Sequence, residues 1–244
     1  MDEDRSRPLY GWRAKLGLVV PPTNVVNEAE WSRVMPDGVS FHTARMALHG
    51  PADGPQSFAA LAARLATKVE ELASAGVDVV AYACTADSMV VPPRRLPDAV
   101  ANGTPVVTTA EAIVAAMASF GATRISVATP FPDALGAREI EFFAAVGIEV
   151  VNLRGLGIPA DDHWRVPRVP IETVHAHARG AFAAGSDALL ITCTDFPCMP
   201  LIEPLEHELG VPVVTSNQAT LWHALRTAGV EARLPGLGRL LAAA

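Results

Sequence analysis

The 244-residue chain is poor in most features that announce a function. It has three cysteines, an odd count and too few for a disulfide framework in a chain of this size. Charged residues make up only 18% of it, and no run of like charge stands out. With a formal net charge of -7 it lacks the basic face that a phosphate backbone demands, so nucleic acid is not an expected partner. No apolar run approaches the length of a bilayer span, so no membrane partner is expected either. The polar segment Met1–Arg7 has no apolar stretch of the secretory kind, and the expected location is the cytoplasm, where thiols stay reduced. Metal ligation is not expected. Cys193-x4-Cys198 lacks a second ligand pair, and His175 and His177 fall on different faces of a predicted helix, both expected at the surface.

What the chain does have is a large apolar fraction, 50%, and an internal repeat. Lys15-Leu16-Gly17-Leu18-Val19-Val20-Pro21 reads as a buried strand ending in a proline turn, and Arg124-Ile125-Ser126-Val127-Ala128-Thr129-Pro130 repeats it 109 positions later. Gly38-Val39 returns as Gly147-Ile148. Gly76-x-Asp78-x5-Cys84-Thr85 returns as Gly185-x-Asp187-x5-Cys193-Thr194, and Gly103-x-Pro105-Val106-Val107-Thr108 returns as Gly210-x-Pro212-Val213-Val214-Thr215. A period this long is not that of a solenoid. It indicates two duplicated half-domains.

Short apolar strands alternate with helical stretches in both copies. Strands are expected near 15–20, 39–48, 77–83 and 105–107, then 124–128, 148–153, 188–192 and 212–214. Helices are expected over 58–73, with Ser57 as N-cap, and over 134–146, 171–184, 201–209 and 218–227. Continuous apolar strands such as Ala188-Leu189-Leu190-Ile191 imply parallel sheets covered on both faces. The expected fold class is α/β, with two pseudo-symmetric α/β half-domains, parallel sheets and an active site at their interface. The boundaries are 14–112 for the first half, completed by 216–244, and 113–215 for the second.

Ligands of open parallel sheets bind beyond the carboxyl ends of the strands. Cys84 and Cys193 each follow the third strand of their half, so facing halves bring them face to face. Thr85, Ser88 and Thr194 offer hydroxyls to a substrate carboxylate, beside backbone amides at helix starts. Two thiols flanking one carbon can racemise it, one removing a proton and the other delivering one. On an alkene, one thiolate can add, the new single bond can rotate, and elimination then gives the other geometric isomer. Neither route requires a cofactor. Cys198 has no mate in the first half, where Met89 stands, and reads as a packing residue. Asn24 lies in a Pro-Pro-Thr-Asn turn, and Asn217 reads as a cap of the last long helix, with substrate contact as its alternative.

Cys84-Thr85-Ala86-Asp87-Ser88 and Cys193-Thr194-Asp195-Phe196-Pro197 resemble the two signature segments of the aspartate/glutamate racemase superfamily. Asp195 stands where glutamate racemases carry His. The segment Leu18-Val19-Val20-Pro21-Pro22-Thr23-Asn24 is similar to the Pro-x-x-Asn loop of maleate cis-trans isomerases, which keep both cysteines. That resemblance, from about residue 14 to the end of the chain, implies Cys84 as nucleophile, Cys193 as proton donor or acceptor and Asn24 as a carboxylate ligand. It places Phe131 at a substrate-binding position usually held by Tyr, and Asp161-Asp162-His163-Trp164 where a substrate-binding Asn is usual, implying a less polar or differently shaped substrate. The tail Gly210–Ser216 and Pro235–Leu240 resembles arylmalonate decarboxylases, which keep the second cysteine and carry Gly at the first position. The expected partner is a small mono- or dicarboxylate, turned over by isomerisation, racemisation or decarboxylation. A non-catalytic carboxylate-binding module is the remaining reading, and a homodimer is compatible with this architecture.

Overall fold

The structure, a computed structural model, describes residues 8–47 and 55–242. The first half runs β1 (Ala14–Val20), α1 (Val26–Val34), β2 (Val39–Arg45), α2 (Pro55–Ala73), β3 (Val79–Tyr82), the single turn α3 (Thr85–Ser88), α4 (Arg95–Val100), β4 (Val106–Thr108) and α5 (Thr109–Ser119). The second runs β5 (Arg124–Thr129), α6 (Asp133–Ala145), β6 (Glu149–Gly155), a 3-10 segment (Ala160–Arg168), α7 (Ile171–Ala181), β7 (Ala188–Ile191), α8 (Ile202–Leu209) and β8 (Val213–Thr215), then α9 (Ser216–Thr227) and α10 (Gly238–Ala242). The strands form two four-stranded sheets in the orders β2-β1-β3-β4 and β6-β5-β7-β8, with every pairing parallel. Among the described residues, no helix is long and apolar enough to cross a membrane.

The repeated Gly-x-Asp has a structural cause. Gly76 and Gly185 sit at φ +70° and +88°, a region that favours glycine, and turn the chain into the third strand of each sheet. Two residues on, Asp78 Oδ2 accepts a hydrogen bond from Lys15 N and Asp187 Oδ2 one from Arg124 N, both at 2.8 Å. Each aspartate thereby pins the start of the central strand beside its own.

One core spans both halves, joining Leu16, Leu18, Val79 and Ala81 of the first sheet to Leu189, Ile191 and Val213 of the second. The outer face of the first sheet buries Val80 and Tyr82 under Leu61, Leu65 and Val69 of α2. α5 starts against the first sheet, where Thr109 Oγ1 donates to Tyr82 O, and then packs Ile113, Ala116 and Met117 on Ile125, Val127 and Leu190 of the second. α9 lies against α5 and reaches β3 and β4, so the two helices stitch the halves together.

The expected elements are present with shifted ends. α2 begins at Pro55, placing Ser57 inside the helix rather than at its cap; proline suits a first turn because it has no N–H to satisfy. The strand expected to reach Leu48 ends at Arg45, and Leu48 itself lies outside the described residues. α7 stops at Ala181 instead of Ala184. His177 is buried, unlike the surface position expected, because it shares the inward face of α7 with Val174, Ala178 and Ala181. Its ring lies 3.1 Å from Thr129 O.

Candidate active site

Both cysteines emerge from the ends of central, fully buried strands, at the carboxyl edge of each sheet. Beyond β3, Cys84 keeps an extended backbone (φ -143°, ψ 110°) and leads into α3. Beyond β7, Cys193 has φ +87°, the one positive φ of a non-glycine residue among those described. Such a backbone costs an L-residue about 1–2 kcal/mol, so the surrounding loop must hold it there.

That loop is held by the other half. Thr194 Oγ1 donates to Ala83 O at 3.1 Å, joining the residue after Cys193 to the residue before Cys84. Asn24 Nδ2 donates to the same Thr194 hydroxyl at 3.0 Å, and Asn24 Oδ1 accepts from Asn27 N. The Pro-Pro-Thr-Asn loop therefore ends on the second cysteine segment. Asp195 completes the tie. Val25 opens α1 without a side-chain cap of its own, and Asp195 Oδ1 takes the amides of Val25 and Val26 at 2.8 and 3.1 Å. Arg45 braces the loop by donating to Asn24 O at 2.7 Å, and it pairs with Glu28. Burial raises the Asp195 carboxyl, and the amides of Val25 and Val26 oppose it, followed by His163 of the 3-10 segment and by Arg45. Ile158 and Val166 anchor that segment in the shared core.

Thr85 Oγ1 lies 3.0 Å from Ser216 Oγ, at the start of α9. The Ser88 hydroxyl is committed to the protein, donating to Thr85 O and accepting from Ala110 N. Asn217 does not cap α9. The helix starts at Ser216 and is capped by Thr215, which forms a capping box with Gln218. The buried Asn217 amide instead donates to Glu30 Oε2 (2.6 Å) and to Thr194 O (3.1 Å), and its oxygen accepts from Asn27 Nδ2 (2.7 Å). Phe131 is half-buried against the shared core, beyond β5.

The thiols are desolvated. Burial pushes the Cys84 thiol well above its usual range, the Asp87 carboxylate adds to this, and the Asp87 amide and Tyr82 hydroxyl oppose it. Burial likewise pushes Cys193 up to about 12, with the amides of Asp195 and Phe196 opposing and the Asp195 and Glu139 carboxylates adding. Cys193 is itself among the groups acting on Cys84, so the two thiols sense each other's charge. Each sulfur thus rests as a thiol, faced by amide donors that favour a thiolate formed in the course of a reaction. Cys198 is buried in the shared core, and none of the three cysteines forms a disulfide.

Sequence reasoning missed α1 and the buried polar groups around it. The inward face of α1 includes Asn27 and Glu30, which give no hydrophobic period. Glu30 accepts Cys198 N and Met199 N on one oxygen, at 3.0 and 2.9 Å, and Asn217 on the other. Tyr82, which donates to Asp87 at 2.9 Å, and Glu139 were missed as well. For the two glutamates a signal existed: positions 30 and 139 are separated by the same 109 residues as the cysteines.

The model of the arylmalonate decarboxylase family matches residues 16–241. The chain belongs to that family. Members similar to it carry two names. A maleate isomerase of Nocardia farcinica is 33% identical over 93% of this chain and 95% of its own length. An arylmalonate decarboxylase of Bordetella bronchiseptica is 29% identical over 92% of this chain and 95% of its own. Among solved structures, a cysteine-to-serine mutant of the Nocardia farcinica maleate cis-trans isomerase, with a covalently bound succinylcysteine intermediate, superposes with a TM-score of 0.82. It is 29% identical and covers 93% of this chain and 98% of its own. The family fold is thus the pair of parallel α/β halves described above.

Proposed function

We propose that the protein is a two-cysteine cis-trans isomerase of a small unsaturated dicarboxylate, with maleate to fumarate as the first reaction to test. The observation that carries this reading is the Thr194–Ala83 hydrogen bond, which sets the two cysteine segments against each other at the mouths of two facing sheets. The relative with a succinylcysteine adduct supports a covalent route.

In this reading Cys84 sheds its proton to water as the substrate binds and attacks as the thiolate, forming a C–S bond to one alkene carbon while the π electron pair moves to the other. That carbon takes a proton from Cys193. The central bond, now single, rotates. Cys193 takes the proton back, the double bond reforms, and the C–S bond breaks to release Cys84. Substrate and the two thiols supply every electron pair, and the released Cys84 thiolate regains its proton from water. Asn24 and Thr85 are the groups we assign to the substrate carboxylates, and Phe131 packs against its carbon frame; the Thr194 hydroxyl, which donates to Ala83 O and accepts from Asn24, we assign to holding the cysteine segments. Ser88 and Asn217 we assign to holding the two cysteine segments. Both thiols come from one chain, so the chemistry requires no second copy, although a homodimer is compatible with it. Their need to stay reduced favours the cytoplasm.

The test is maleate incubated with protein and followed by NMR for fumarate. Cys84→Ala is expected to lose at least about a thousandfold in kcat/KM. Cys193→Ser is expected to stop turnover while a maleate adduct accumulates on Cys84, read by mass spectrometry. No fumarate at high protein concentration would overturn the substrate assignment. The family's other activity supplies a second reading, decarboxylation of a substituted malonate with Cys193 as proton donor. A Cys84→Ala variant that still decarboxylates would select it.

A further inference from the structure

Glu139 is a half-buried titratable group that the proposed chemistry does not use. It sits on α6, and its Oε1 accepts from the Thr192 hydroxyl at 3.3 Å. Thr192 is fully buried and is the residue that leads β7 into Cys193. The other carboxylate oxygen, Oε2, is enclosed without a hydrogen-bond partner among the described residues. A native structure rarely retains such an oxygen without a use, because an unpaired buried acceptor costs about 1–3 kcal/mol.

We propose that Glu139 is a positioning residue for Cys193: its carboxylate, placed beside the second cysteine segment and fastened to Thr192, keeps Cys193 the proton-carrying thiol of the pair. A negative charge near a thiol disfavours the thiolate, so an ionised Glu139 holds the proton on Cys193 until a carbanion removes it. The inference rests on the two-cysteine reading above.

Neighbouring charges leave Glu139 to this task. On β6, Glu149 is paired with Arg124, and Arg154 faces His177. On α7, His177 is bound to Thr129 O. In the cysteine segment, the Asp195 carboxylate also bears on Cys193, and the amides of Val25 and Val26 hold it in place. On α6 itself, Asp133 takes Gly155 N, Glu141 is exposed, and Arg138 is engaged with a partner of its own. Burial pushes the Glu139 carboxyl up to about 7, and the Thr192 hydroxyl alone opposes it. The group therefore changes charge close to neutrality.

The experiment measures iodoacetamide alkylation of each cysteine against pH, resolved by peptide mass spectrometry, in the full chain. Glu139→Gln is expected to speed alkylation of Cys193 by about five- to tenfold on the alkaline side, leaving Cys84 within about twofold. In maleate turnover, an inflection near neutrality, with kcat rising as Glu139 ionises, is expected in the parent and absent in the variant. Thr192→Val keeps the carboxylate and removes its hydrogen bond, so it should move that inflection to higher pH; it carries the test if Glu139→Gln does not fold. Unchanged Cys193 alkylation in Glu139→Gln, an equal change at both cysteines, or an unmoved inflection in Thr192→Val would overturn the inference. Alkylation does not depend on turnover. Absence of fumarate would therefore count against the isomerase reading alone, and fumarate with unaltered alkylation against Glu139 alone.

Discussion

Glu30 and Glu139 occupy the same position in the two copies of the repeat, on the helix that follows the first strand of each half. Their surroundings have diverged. Glu30 accepts three donors from far along the chain: two backbone amides of the opposite half, at Cys198 and Met199, and the Asn217 side chain of α9. Among the described residues, Glu139 has one hydroxyl, from its own half, and an oxygen without a partner. The residue beside Cys84 that corresponds to Thr192 is Ala83, which offers no hydroxyl and lends its carbonyl to Thr194 instead. Duplication supplied two equal carboxylates; one became the fastening between halves, and the other was left beside a thiol. A buried carboxylate whose valences are filled is read as structural, and one with a spare oxygen as available for chemistry.

The sharpest way to break this comparison is to neutralise both glutamates in turn. All three partners of Glu30 are donors, so Glu30→Gln must turn its amide group toward one of them. A loss of about 2–4 kcal/mol is expected, measured by urea denaturation. Glu139→Gln should do the opposite at alkaline pH. The folded carboxyl sits at about 7 against an ordinary 4.5, so its contribution is complete below the ordinary value and is lost as pH rises through about 7. The neutral amide escapes that loss. At about pH 8 the variant is expected to be the more stable protein, by at most about 3 kcal/mol, with the advantage gone in mild acid. Destabilisation of both variants by similar amounts would erase the distinction between the two sites.

A second contrast concerns the backbone under each cysteine. Cys193 is held at φ +87° and Cys84 at -143°. Glycine accepts the first geometry without strain and gains nothing in the second. Cys193→Gly is therefore expected to be more stable than Cys193→Ala by about 1 kcal/mol. At position 84 the order should reverse, with Ala the more stable by about 0.5–1 kcal/mol. The same order at both positions would mean that the Cys193 loop is not strained.

Most of the fold was legible because its signals are local. Gly76 and Gly185 mark turns, the strands are continuous apolar runs, and the constant offset exposes the duplication. The cysteines were legible by rule, since the carboxyl ends of parallel strands are where sites form. What escaped depends on partners far away in sequence. Asp195 caps a helix 170 residues upstream, Asn217 reaches Glu30 across 187, and Arg45 clasps a loop whose neighbouring prolines only suggested a turn. Asn217 was read as a cap because asparagine near a helix start ordinarily is one, yet Thr215 already filled that role with its capping box. α1 escaped because its buried face is partly polar, and polar burial leaves no period in hydropathy.

The smallest effect belongs to the pair that looks most alike. Asp78 and Asp187 both lie exposed and both hold an amide at the start of a central strand, yet Asp187 Oδ2 also takes the Thr123 amide at 2.9 Å and its hydroxyl at 3.4 Å. Those backbone amides, chiefly that of Thr123, hold its carboxyl below the ordinary carboxylate range. A depressed carboxyl contributes stability above its ordinary pKa and loses it as pH falls through the folded value. Asp187→Asn is therefore expected to flatten the acid limb of a thermal-stability profile, while leaving the neutral melting temperature only slightly lower. Among the described residues, Asp78 has no counterpart to the Thr123 contacts, so the prediction concerns the second half alone. An Asp187→Asn acid limb identical to that of the parent would show that the extra Thr123 contacts contribute nothing, and that at this corner the halves have stayed equivalent since the duplication that separated their glutamates.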